Sequence, residues 1–224
     1  MERQNVLELC QIPSCINIDY IKEQLFNYMV SREEYYKKSN RSYYIEDEFS
    51  EFWIAESTCG KTIGKGNVAT DVITSTMDGI DVMCVCMGNG LTNEKSLIQN
   101  FKEAGLQLDG LFKNKEDELA IQLFMDNLKK KLNDVIKSYS LNNLYILSYI
   151  TVDNSVYLCS FIYNIDLIDN VRSSGFSKQG QSIGVVNFID EKDGKVILYK
   201  AKKRLELRLS NKCITENPYV VKIY

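Results

Sequence analysis

A chain of 224 residues, 45% hydrophobic and 25% charged, is long enough to bury a sizeable core as one large domain. It contains no histidine, which excludes Ser/His/Asp and Cys/His hydrolases, histidine-ligated zinc sites, HNH-type nucleases and histidine phosphotransfer. At a net charge of −3, contact with nucleic acid has to come from a local basic patch rather than a global excess.

The seven cysteines are an odd number, and no pair has CxxC spacing. Cys84 and Cys86 are two apart in an apolar run and share a strand face. They read as reduced core thiols, which points to a cytoplasmic protein. No apolar run approaches transmembrane length, and MERQNVLELC lacks the pattern of a signal peptide, so no membrane partner is expected.

The only prolines, Pro13 and Pro218, lie near the ends, so 1–224 reads as a single domain without linkers. Ile21, Leu25, Tyr28 and Met29 predict a helix over 18–38, with Asp19 as its cap. A second helix over 43–56 carries Ile45, Phe49, Phe52 and Trp53 on one side and Glu46, Asp47, Glu48, Glu51 and Glu56 on the other. The loop STCGKTIGKGN follows, then strands over 68–74 and 79–87 joined by a tight turn. SLIQNFKEAG opens a short helix. Leu119, Leu123, Phe124, Leu128, Leu132, Val135 and Ile136 mark a long one over 116–138. LYILSYITV and SVYLCSFIY are strands apolar on both faces, as central strands are. DNVRSSGFSKQGQS reads as an irregular loop. SIGVVNFI and KVILYKAKKRLELRL read as a final hairpin about Asp193–Gly194. The fold class is α/β to α+β: a central mixed sheet flanked by helices, with an additional C-terminal β-hairpin.

Without histidine, catalysis falls to carboxylates, lysine, tyrosine, cysteine or an oxygen-ligated metal. Asp71 and Asp81 sit in apolar runs on neighbouring strands, where unpaired carboxylates are costly and repel each other. A divalent ion, most simply Mg²⁺, resolves that cost, held by both side chains and the Val82 carbonyl. The alternative is that each is a surface residue of a half-exposed strand.

The stretches Gly64-Lys65-Gly66-Asn67-Val68-Ala69-Thr70-Asp71-Val72 and Gly79-Ile80-Asp81-Val82-Met83 resemble the PD-(D/E)xK nuclease superfamily, especially type II restriction endonucleases. The two acids are ten residues apart. The likeness covers about 43–101 and extends by element order through 116–138 and 143–152. It implies a restriction-endonuclease-like fold, with 43–152 as catalytic core and 153–224 as strands and loop for DNA recognition. It also implies Mg²⁺-dependent hydrolysis of double-stranded DNA by a homodimer that addresses both strands of a palindrome. Glu48 or Glu51 would add a further group to the metal site. One departure stands out: Met83 occupies the place of the superfamily's lysine. That leaves a deliberate lysine-to-methionine replacement, a lysine reaching in from elsewhere (Lys95 or Lys65), or a naturally inactive relative. The competing function is a non-catalytic DNA-binding or protein-interaction module with a nuclease-like fold.

Candidate DNA contacts fall in several places. Lys195, Lys200, Lys202, Lys203, Arg204 and Arg208 oppose a single Glu206, a local reversal of sign suited to phosphates or to an exposed strand. Arg172, Ser173, Lys178, Gln179 and Gln181 carry groups that read base edges, in what is otherwise an ordinary surface loop. Asn93, Lys95 and Ser96 are expected at a helix N-terminus, where phosphate binds well or Ser96 simply caps. Lys65 in the glycine loop is a further candidate. Tyr35, Tyr36, Tyr43 and Tyr44, set among Lys37, Lys38 and Arg41, suit DNA contact, a subunit interface or the core.

Overall fold

The computed structural model describes residues 5–39, 44–63, 68–87, 95–96, 102–152, 154–200 and 204–224. Twelve strands among them form two sheets. The first sheet grows around a central pair, β6 (Leu144–Val152) and β7 (Ser155–Tyr163). Both are buried along nearly their whole length, as apolarity on both faces predicts. β7 pairs antiparallel with β1 (Leu7–Cys10) and with β12 (Val221–Lys222). On its other side β6 runs parallel to β4 (Gly79–Met87). β3 (Val72–Ile73) and β2 (Lys61–Thr62) complete that edge antiparallel, giving the order β1-β7-β6-β4-β3-β2.

A parallel pair cannot be joined by a tight turn, so the chain between β4 and β6 crosses over a face of the sheet. That crossover carries α3 (Lys102–Asn114) and α4 (Asp117–Tyr139). The α4 stripe Ile121, Phe124, Leu128, Leu132 and Val135 packs in one apolar cluster with Ile73, Met83, Ile146, Ile150 and Phe161. The opposite face of the sheet buries Val72, Ile80, Val82, Leu147 and Tyr149 against α1 (Ile18–Ser39) and α2 (Asp47–Ser57). The sheet thus has helices on both faces, and strand alternation decides which residue of β4 meets which layer. Ile80 and Val82 face α2; Met83 faces α4.

Several local expectations change. Asn17, not Asp19, caps α1: its Oδ1 accepts the Tyr20 amide at 3.1 Å. KVILYKAKKRLELRL is not one strand but two, β10 (Gly194–Tyr199) and β11 (Arg204–Leu209), paired antiparallel. The run 172–181 is not irregular. Arg172–Phe176 is the edge strand β8, followed by a turn into β9 (Ser182–Val186), with a bulge between Ser173 and Gly175. Gly180 sits in that turn at φ +64°, open to glycine without strain. Lys95 and Ser96 do not start a helix. They form β5, which pairs with Leu207 and Glu206 of β11. A C-terminal hairpin alone therefore understates the second sheet, β5-β11-β10-β9-β8. Its apolar face (Ile183, Val196, Leu198, Leu205, Leu207) joins the α4 cluster, which a lone hairpin has too little surface to do. No helix among the described residues is long and apolar enough to cross a membrane. The six described cysteines are unbridged thiols; the Cys86 side chain lies outside the description.

Candidate active site

β3 is only two residues long, and Asp71 lies just before it rather than within it. The paired register ends at Val72↔Ile80, and Asp71 and Asp81 are the next residues outward on the two segments. Asp71 is tied into the sheet at three points. Its N–H donates to the Ile80 carbonyl at 2.9 Å, and its carbonyl accepts from Ile63 N–H at 2.7 Å. Its side-chain Oδ2 accepts the Val82 amide at 2.8 Å. The carboxylate thus fills the ladder position that a longer β3 would have supplied with a backbone carbonyl. In an extended strand the N–H and C=O of one residue point to the same side. The Val82 carbonyl therefore opens on the Asp71 edge as well.

Asp81 shares strand parity with Met83 and so faces the α4 layer. Two groups, Lys131 and Tyr163, feel the charge of these acids. Burial lowers the Lys131 ammonium from its usual pKa, while the negative charges of Asp81 and then Asp71 pull it back up. Tyr163, at the end of β7, has its hydroxyl raised first by burial and then by the charge of Asp81. Asp71 and Asp81 are both half-buried, so the pair has access to solvent as well as to α4. Among the described residues no group of three or more Asp, Glu, Cys or His gathers. Two carboxylates and a backbone oxygen nonetheless suit Mg²⁺, which keeps several waters and takes few protein ligands.

The remaining candidates distribute as follows. Glu48 and Glu51 lie on α2, which packs on the sheet face opposite Asp81, so they are not gathered with the acidic pair. Met83 is 4% exposed in the apolar cluster beneath α4. Arg172 Nη1 donates to the backbone carbonyls of Asp169 and Val171, both at 2.7 Å. Ser173 is held at the start of α4: its Oγ donates to Asp117 Oδ2 at 2.7 Å and its N–H to Glu118 Oε2 at 2.8 Å. Arg204 pairs with the buried Glu206 at 2.7 Å, and Arg208 lies 3.6 Å from the same carboxylate. The expected run of C-terminal cations is thus neutralised in part from within its own strand. Lys178, Gln179 and Gln181 sit exposed at the tip of the β8–β9 turn. Lys65, Asn93, Lys202 and Lys203 lie outside the described residues, as do Tyr43, Arg41 and the side chains of Lys95 and Ser96. In the tyrosine cluster Tyr36 is core, its hydroxyl donating to the Tyr44 carbonyl at 2.6 Å, while Tyr35 stays on the surface.

Lys131 is the residue that sequence reasoning passed over. In the sequence it is one of three consecutive lysines on a helix, a pattern that says solvated face. Its one distinguishing signal is helical phase: it directly precedes core Leu132, while Lys129 and Lys130 fall further from the stripe. No family model, no curated protein and no solved structure matches this chain.

Proposed function

We propose that this chain is a Mg²⁺-dependent, sequence-specific DNA endonuclease of the type II restriction class, acting as a homodimer on double-stranded DNA. The observation that carries the reading is the cross-strand pair Asp71/Asp81, with the Val82 carbonyl on the same edge. Support also comes from element order: an acidic helix, a two-residue strand, a strand led by one Asp, a tight turn, a strand with the second Asp, then, after the short β5, two helices and a strand parallel to β4. This is the order on which the resemblance to PD-(D/E)xK nucleases rests.

Asp71 and Asp81 would hold the ion, with the Val82 carbonyl beside them. Mg²⁺ bound there supplies Lewis-acid polarisation of a phosphoryl oxygen and a more acidic water. The chain's own part is to position. The Val82 amide fixes Oδ2 of Asp71, leaving Oδ1 for the ion. In the reaction one P–O bond forms from water and one ester P–O bond breaks; the water loses a proton and the leaving oxygen gains one. The exposed Lys178, Gln179 and Gln181 present donors and acceptors for base edges. The β8–β9 turn is thus the reading element among the described residues.

A second reading is a non-catalytic DNA-binding or protein-interaction module on the same scaffold. Met83, apolar and buried where the resemblance expects lysine, favours it. One experiment separates the two: incubate the chain with mixed-sequence DNA in Mg²⁺ and in EDTA. Discrete fragments only with Mg²⁺ support the endonuclease. Binding without cutting supports the module, and neither binding nor cutting removes both.

A further inference from the structure

The acidic pair lacks a lysine on its own strand, yet α4 brings one to it. The buried stripe of α4 shares one apolar cluster with Ile146 and Ile150 of β6 and Met83 of β4, and leaves the helix two polar shoulders. One shoulder faces the β7 side: Lys129 Nζ donates to Asp169 Oδ2 at 2.5 Å, in the 3-10 turn Ile165–Asn170 that follows β7. The other shoulder carries Lys131. At about 100° per residue it lies far around the helix from Lys129 and flanks buried Leu128, Leu132 and Val135. β7 lies on one side of β6 and β4 on the other, which puts the shoulder opposite Lys129 on the β4 side. Strands β4 and β3 carry Asp81 and lead out from Asp71, and Asp81 faces up toward α4. Lys131 is half-buried there rather than solvated, and the charges of both acids act on it.

We infer that Lys131 is the catalytic cation of this site, occupying from helix α4 the role left vacant at Met83. The inference rests on the endonuclease reading. In the resting protein its ammonium neutralises part of the repulsion between two adjacent carboxylates. With DNA bound, its three donors on a flexible stem reach a non-bridging oxygen of the scissile phosphate as negative charge builds there. A lysine on a helix shoulder serves this role as well as one on the strand. What the chemistry requires is a compact charge at the pair, not a particular element beneath it. The apolar Met83 side chain then has a purpose of its own, sealing the core under α4.

Lys131→Met keeps the length and the apolar stem while removing the charge, and Lys131→Arg keeps the charge with a different head. Three quantities are measured for each: Mg²⁺-dependent nicking of supercoiled plasmid, Mg²⁺ affinity by calorimetry without DNA, and thermal unfolding. Lys131→Met should nick about 100-fold or more slowly, the loss typical for one preorganised donor. Its Mg²⁺ affinity should rise several-fold, because a competing positive charge is gone. Lys131→Arg should nick measurably faster than Lys131→Met. Both should still unfold cooperatively, Lys131→Arg as the wild type and Lys131→Met at a modestly lower temperature because the two acids lose a neutralising charge. If the wild type nicks and Lys131→Met nicks equally well, the Lys131 assignment is overturned and the endonuclease reading stands. Slower nicking without tighter Mg²⁺ binding also overturns it, since the lysine is then not at the pair. If the wild type fails to nick in Mg²⁺, the endonuclease reading falls and takes the catalytic role with it.

Discussion

Asp71→Asn separates chemistry from folding at the site. The native carboxylate accepts one hydrogen bond from the Val82 amide at 2.8 Å. The asparagine carbonyl oxygen accepts the same bond, so no buried donor is orphaned. What changes is its strength: a bond to a charged acceptor contributes about 1.5–3 kcal/mol and a neutral one about 0.5–1.5 kcal/mol. The expected loss is therefore about 1 kcal/mol. Against it stands relief of like-charge opposition to Asp81, of the order of 0.2–1 kcal/mol for a cross-strand pair. The net falls between about 0 and 1 kcal/mol, or a melting shift of at most about 4 °C for a chain of this size. Cleavage should fall at least about 100-fold, since one of two anionic ligands becomes neutral. Plasmid nicking in Mg²⁺ and a thermal melt on the same preparation measure both. Nicking within about threefold of wild type would refute the assignment of Asp71 to the site. A melting loss above about 10 °C would show instead that its charge is structural.

Four further outcomes follow from particular contacts. Met83→Lys should cost about 2–3 kcal/mol in denaturant unfolding, because it puts an ammonium among the apolar residues under α4, and should not raise cleavage. A rise in cleavage would return the catalytic lysine to the strand. Glu206→Gln should cost about 3 kcal/mol, since Glu206 is 1% exposed and Arg204 and Arg208 would face an uncharged partner; a denaturant midpoint equal to wild type refutes it. Tyr149→Phe should be neutral or stabilising by about 1 kcal/mol, because the buried Tyr149 hydroxyl has no hydrogen-bond partner among the described residues. Burial holds the Asp193 carboxyl above its usual 3.8, so its stabilising contribution is full below that pH and is lost as pH rises through the raised value. Asp193→Asn should therefore gain stability relative to wild type as the pH climbs from 3 to 7, read from melts across that range; a constant difference between the two would refute it.

The two helices over 18–38 and 116–138 and the twin strands 144–152 and 155–163 were legible because each carries its own pattern. A long stripe at helical period and a doubly apolar run name their element without a partner. The C-terminal half was harder. Nothing within KVILYKAKKRLELRL says where it folds back, because the charged middle of a hairpin and the exposed face of a long strand have the same composition. Residues 172–176 read as loop because an edge strand with serine and glycine has weak local propensity and is held by its neighbour β9.

The site divides in the same way. By itself the sequence determined that histidine chemistry is absent and that Asp71 and Asp81 stand ten residues apart in apolar runs. Both are properties of the chain read along its length. Only the tertiary structure decided which face each acid takes, that Glu48 and Glu51 lie across the sheet, and that Arg204 is taken up by Glu206. It also left Lys131, fifty residues beyond Asp81 in the chain, half-buried where the charges of both acids act on it. The physical reason is the parallel pairing of β4 with β6. That pairing forces the chain to cross over the sheet, and α4, which carries Lys131, lies in that crossing.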